Sequence, residues 1–392
     1  MSTVTSIPIR STLRITGREG LRAFDRIGEG YGGRLARLNL GLFRPYLVTH
    51  PDHVRHVLRG SETYVREGMI WRPLRRLEGH GIAGEGPRWR TSRRILQPQF
   101  TARHVTSLAR LMAQAATEAY DRLAAEAPGP VDLPLAMTRF THQVLTRVFF
   151  SDRITLADCD RLGEAIATAF RSVGLRIVLP FLGDAVPVPG DRAFRRAVRT
   201  VDGIIQPLID ERRTKPGDDL ITLLLRATDE DGRRLSDRAV RDDVVAMYVA
   251  GTETTALTLT WLWLLIDAHP EVGGRLDDEV RRVVGAGPVG PDHLTELTYT
   301  RMVIQEVLRL YPVGWVVPRT VARPDTLAGV DLRPGDTVLL SPYLTHRLPE
   351  FWPDPYAFRP ERFAAGREAG RHRFAYFPFG GGPHQFLGNH FA

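Results

Sequence analysis

A mainly α fold with a small β region is what this sequence predicts, and three observations predict it. From residue 87 to residue 311, apolar residues recur at helical spacing in one segment after another. Short alternating stretches occur only toward the two ends, near residues 34–49 and 313–345. Proline, phenylalanine and glycine crowd residues 347–383 without a period, the texture of ordered irregular coil. With 392 residues, 43% apolar and 25% charged, the chain reads as a single domain over 1–392, large enough to bury its own core without cross-links.

In chain order, residues 34–39 and 46–49 alternate as two strands around a turn at Gly41. Residues 52–58 read as a helix with Pro51 in its first turn, where a missing N–H costs nothing. Residues 60–85 are rich in Arg and Gly and read as loop. Helices are predicted near 87–97, 104–126, 133–150, 156–175, 191–213, 217–226, 236–267, 270–284 and 297–311. Residues 326–330 and 337–340 flank Arg333-Pro334-Gly335-Asp336 and read as a hairpin.

The net charge is +8, carried almost wholly by arginine, with Lys215 the sole lysine. These charges are scattered rather than massed, which argues against nucleic-acid binding. One cysteine, Cys159, excludes a disulfide, a multi-cysteine zinc site and an iron–sulfur cluster, and fits a reducing cytosol. It sits between Asp158 and Asp160 and reads as surface. Residues 1–22 are mixed and polar, with no apolar targeting core, so a cytoplasmic protein without a membrane anchor is expected. Residues 244–266 carry a single charge, Glu253, but their centre is polar, which suits a buried helix better than a membrane span.

Four constellations carry chemistry. Glu253 and Thr254 set an acid beside an alcohol in the longest helix, near Gly251; a buried Glu with a raised pKa could relay protons, or could simply bond local backbone. Glu306 and Arg309, three apart, share a helix face, and Arg362 lies in Pro360-Glu361-Arg362-Phe363. Trp89 and Arg93, four apart, could clamp an anion against an aromatic wall. Phe379-Gly380-Gly381-Gly382-Pro383-His384-Gln385-Phe386 joins a glycine-rich turn to a histidine, without the Lys-Ser/Thr of a Walker phosphate loop.

In this order and spacing the motifs resemble the cytochrome P-450 superfamily of haem-thiolate monooxygenases, soluble bacterial type, over essentially the whole chain. The resemblance implies that fold, cut short after the haem-loop motif at Ala392. It implies that Trp89, Arg93, Arg319 and His384 hold haem propionates and that Glu253 and Thr254 deliver protons to bound dioxygen. Glu306, Arg309 and Arg362 would form a structural ion-pair triad. Residues 66–85 and 170–182 would border the substrate pocket.

One position departs from the pattern decisively. The family's axial cysteine stands two residues after the motif histidine, and here that residue is Phe386, which has no lone pair for iron. The expectation is therefore a non-standard member with haem absent or weakly bound, its vacated pocket reused without redox chemistry. Arg93, Arg319 and His384 could hold a diphosphate, and Phe386, Phe379 and Trp315 could wall a cationic intermediate. Glu253 could act as general acid. That kit points to a terpene cyclase acting on a prenyl diphosphate or terpenoid, with Mg²⁺ as a candidate companion at Asp242 and Asp243; otherwise no metal is expected. Two alternatives stand beside it. One is a vestigial or impaired haem monooxygenase of a terpenoid or polyketide pathway; the other is a non-catalytic helper of a partner glycosyltransferase.

Overall fold

The structure, a computed structural model, describes residues 4–14, 20–125, 129–178 and 186–390. In chain order its elements are β1 (Thr5–Ile7), α1 (Ile9–Leu13), α2 (Gly20–Tyr31), β2 (Ala36–Leu38), β3 (Tyr46–Val48), α3 (Pro51–Arg59), β4 (Tyr64–Val65), α4 (Trp71–Glu78) and α5 (Gly86–Leu96). There follow α6 (Ala102–Ala125), α7 (Leu133–Phe150), α8 (Leu156–Val178), α9 (Asp191–Thr214), α10 (Leu220–Arg226), α11 (Asp237–Ala268), α12 (Pro270–Val283) and α13 (Thr298–Leu310). The series closes with β5 (Val317–Val321), β6 (Asp325–Leu327), β7 (Val330–Leu332), β8 (Thr337–Leu340) and α14 (Pro342–Thr345).

Two compact units divide the chain. The first holds Met1–Gly68, Leu265–Pro270 and Thr298–Phe386. Its six-stranded sheet runs β1-β2-β3-β8-β5-β4, so strands from both ends of the chain interleave. The β2–β3 pair is antiparallel, and β3 lies parallel to β8 in the register Tyr46 to Val338. Val48, Val54, Tyr64, Val338, Leu340, Phe374 and Phe377 form the core beneath it.

The second unit holds Met69–Leu264, Glu271–Leu297 and Leu387–Ala392 and is helical. On α9 the buried residues Phe194, Ala197, Val201, Ile204, Ile205 and Ile209 recur at three- and four-residue steps, the stripe that packs it. Asp132 and Asp219 cap α7 and α10 by accepting the amide N–H of Leu135 and Thr222.

Four expectations are corrected here. Residues 60–85 are not all loop: they hold β4 and α4. Arginines mask the α4 pattern, but Pro73 lies in its first turn, where no N–H is needed, and Leu77 four residues on is buried with it. The hairpin pairs differently from expectation. β6 pairs with β7 across Ala328 and Gly329, both at positive φ, while β8 pairs with β5 and β3. Cys159 is not surface but 2% exposed, because it begins the stripe Cys159, Leu162, Ala165, Ile166, Ala169 on the inner face of α8. α11 is buried on every side only from Val240 to Val249; beyond that Thr252, Ala256, Thr260 and Leu265 keep one buried stripe while Leu257, Trp263 and Leu264 are exposed. Among the described residues this one helix is long and apolar enough to cross a membrane by length and composition.

Candidate functional site

In the helical unit, α11 carries Glu253 and Thr254. Burial raises the Glu253 pKa, and Arg171 on α8 pulls it the other way. Burial thus makes this carboxyl harder to ionise than an exposed glutamate. Thr254 donates its hydroxyl to the Ala250 carbonyl, as Thr252, Thr258 and Thr260 do to carbonyls four residues back, at 2.8–2.9 Å. Each hydroxyl is satisfied locally and keeps its lone pairs as acceptors. Gly251 permits a close approach: a Cβ there would sit 3.1 Å from the Leu145 side chain on α7.

Trp89 and Arg93 share one half-buried face of α5. Arg93 donates from Nε to Gln97 Oε1 at 3.0 Å, and burial lowers its pKa. Asp242 and Asp243 close on the segment between α4 and α5. Asp243 accepts the Ile82 N–H and the Ser92 hydroxyl, each at 2.7 Å, while Asp242 accepts the His80 N–H and pairs with Arg238 and Arg241. Their oxygens are thus engaged by protein donors. Among the described residues no group of three or more His, Cys, Asp or Glu side chains is arranged to hold a metal ion.

The sheet-bearing unit holds the remaining candidates. Arg309 makes a two-pronged pair with Glu306, Nε to Oε2 at 2.6 Å and Nη2 to Oε1 at 2.7 Å, both residues fully buried. Arg362 Nε stands 3.3 Å from Glu306 Oε1, which also accepts the Arg359 N–H. Arg309 further donates to the carbonyls of His346, Pro355 and Ala357, so the guanidinium serves the surrounding chain as well as the pair. Arg319, 5% exposed, donates to the Pro318 carbonyl. His384 lies in a short 3₁₀ turn, Gly382–His384. Phe379 and Phe386 stack with ring centres 6.4 Å apart and planes 15° from parallel. Trp315 sits elsewhere in this unit, edge-on to Phe24 at 5.3 Å, so it is not part of that aromatic pair. Of residues 170–182, those from 179 on lie outside the described residues.

Two clusters had no sequence signal. His346 is wholly buried and held neutral by desolvation; its Nε2 accepts the Phe377 N–H at 2.9 Å and its Nδ1 faces the Arg309 carbonyl. In the helical unit, His142 Nδ1 bonds the Tyr248 hydroxyl, and burial pushes the imidazole down to about 4. A histidine in an apolar helix face announces neither partner from sequence.

The chain matches the family model described as Cytochrome P450 over residues 12–392. It is 35% identical over 364 residues to cyclooctat-9-en-7-ol 5-monooxygenase of Streptomyces melanosporofaciens, covering 91% of this chain and 78% of that protein. To pentalenene oxygenase of Streptomyces avermitilis it is 31% identical, covering 92% of this chain and 80% of that one. The crystal structure of a cytochrome P450 (CYP102L1) superposes with a TM-score of 0.85 at 22% identity, over 99% of this chain and 88% of that one, which speaks to the fold alone. This chain belongs to the cytochrome P450 family.

These findings overturn three expectations. A haem-independent terpene cyclase is not supported, since the similar proteins are named as a monooxygenase and an oxygenase, oxidoreductases rather than lyases. The haem-free expectation falls with it, because the matching family is a haem family. Companion Mg²⁺ at Asp242 and Asp243 loses its basis too, those carboxylates being committed to residues 80, 82 and 92.

Proposed function

We propose that this chain is a haem monooxygenase-type protein of terpenoid oxidation, impaired at its iron-ligating position. The observation that carries this is the 35% identity, over 91% of the chain, to a monooxygenase named for the alkenol cyclooctat-9-en-7-ol. The second relative is named for the alkene pentalenene, which supports a hydrophobic, alicyclic substrate. A cytoplasmic setting and an electron-donating partner protein accompany this reading.

The residues present fit haem at its edge and not at its iron. In the helical unit Trp89 and Arg93 form a half-buried cation and aromatic face suited to a haem carboxylate. Two residues after His384, where the family resemblance would put the iron ligand, Phe386 offers a phenyl ring, which cannot donate to a metal. Haem, when bound, supplies the iron at which dioxygen is reduced. On α11, Glu253, its pKa raised by burial, can give a proton that the Thr254 oxygen can accept and pass on.

The test begins with the protein reconstituted with haemin. A Soret band at one haem per chain, shifted by added alicyclic terpene alcohols or hydrocarbons, is the expected result. With a surrogate ferredoxin, its reductase and NADPH, products carrying one added oxygen should form slowly. Failure to take up haem under any reconstitution would overturn the proposal.

A further inference from the structure

Three consecutive charged side chains on α11 grip one stretch of main chain. Arg241 Nη1 donates to the Leu77 carbonyl at 2.6 Å, Asp242 accepts the His80 N–H at 3.2 Å, and Asp243 accepts the Ile82 N–H at 2.7 Å. All three residues are 3% exposed or less. Arg241 is braced in turn by Asp202 on α9, Nε to Oδ1 at 2.7 Å. Gly81 leaves no room for a Cβ against the Asp243 carboxylate, so the turn lies directly on that side chain. The gripped stretch, residues 69–84, has few apolar anchors of its own. Of its side chains only Pro73 and Leu77 are fully buried, and Arg76 reaches Asp191 only at 3.8 Å. Lifting it away therefore gives up little apolar burial.

We propose that residues 69–84 form a strap that opens by itself from the helical unit, with Arg241, Asp242 and Asp243 as its catch and ionisation of Asp243 as its release. The inference does not depend on the haem reading. With the strap shut, an ionised Asp243 is sealed from water, and Ile82 N–H and the Ser92 hydroxyl are the donors that serve it. Its charged surroundings are Asp242 and Arg241 on its own helix and Arg88 on α5, with the exposed imidazole of His80 in the turn. Desolvation and Asp242 both disfavour the charge, and Arg88 only partly offsets them. Opening admits water to the carboxylate, so a rise in pH favours the open strap.

Amide exchange of the whole chain, read by mass spectrometry at pH 5 and pH 7.5, tests this against Asp243→Asn, which keeps an acceptor for Ile82 and cannot ionise. Comparing the two proteins at the same pH cancels the intrinsic pH dependence of exchange. With the carboxyl at about 6 when the strap is shut and at its ordinary 3.8 when open, the natural-to-variant ratio of exchange rates within residues 69–84 should grow about tenfold between the two conditions. The ratio for peptides of α9 and α12 should stay level. A level ratio in the strap overturns the proposal, because Asp243 would then release nothing. Equal growth across the helical unit overturns it too, because the strap would then not open by itself. Should Asp243→Asn fail to fold, the natural chain carries the test alone: its strap peptides should gain about tenfold on its α12 peptides over the same range once intrinsic rates are divided out, and no gain overturns the proposal.

Discussion

The carboxylate of Asp243 on α11 receives the Ser92 hydroxyl of α5 at 2.7 Å, inside a core where both residues are less than 5% exposed. Its other oxygen takes the Ile82 N–H. Desolvation raises this carboxyl to about 6, against the opposing pull of those two donors; Asp242 adds to the rise and Arg88 detracts from it. Because the folded-state pKa lies above the unfolded value of 3.8, the contribution of Asp243 to stability is full below 3.8 and is lost as pH rises through about 6. The loss is on the order of 3 kcal/mol, at about 1.4 kcal/mol per pKa unit. Asp243→Asn keeps the acceptor for Ile82 and cannot ionise. Its melting temperature relative to the natural chain should therefore climb between pH 5 and pH 8; parallel pH profiles for the two proteins would sink the idea.

Gly79 ends α4 at φ +71° and ψ −150°, a conformation open to glycine. A Cβ there would fall 1.9 Å from Cγ of Asp242. Gly79→Ala should cost about 2 kcal/mol or more, combining backbone strain with displacement of a buried carboxylate. Urea titration measures it, and a change in midpoint corresponding to well under 1 kcal/mol would contradict this account.

Removing one member of the Glu306–Arg309 pair strands the other in a fully buried setting. Arg309→Ala should destabilise the protein by about 3–5 kcal/mol. Arg309→Lys should recover little of this, since an ammonium cannot bridge both carboxylate oxygens and the carbonyls of His346, Pro355 and Ala357 together. Expression level and thermal melting of the two variants provide the comparison, and near-natural stability of the lysine form would refute it.

His142, displaced to about 4 by burial, should show no imidazole titration by NMR between pH 5 and pH 8. A depressed folded-state pKa means that stability is lost as pH falls from about 6.5 toward 4. A titration midpoint near 6.5 in the native protein would show that Tyr248 does not keep the ring sealed.

Much of the fold was legible because helical periodicity spans most of the chain and the stripes of α7, α8 and α9 are wide. Illegible parts share a physical cause: their stabilisation is non-local. Strand β8 takes β3 and β5 as neighbours, more than two hundred residues apart in sequence, and no local alternation announces such partners. Nothing local to Asp242 and Asp243 announces what they serve, because their donors lie about 160 residues upstream. Cys159 is obscured for the opposite reason: its charged sequence neighbours suggest surface, while its place in a helical stripe buries it. At the candidate site the residue types are legible in the sequence, but one atypical residue, Phe386, points away from the oxygenases that the chain resembles along most of its length.

His346 joins two parts of the first unit through one small ring. Its carbonyl takes Arg309 and its Nε2 takes the Phe377 amide. Both bonds meet at one fully buried residue, so exposure of that amide is expected to accompany opening around Glu306 and Arg309. In hydrogen exchange, the Phe377 N–H should therefore keep the time of whole-unit unfolding, a slow clock at the foot of a glycine-rich loop.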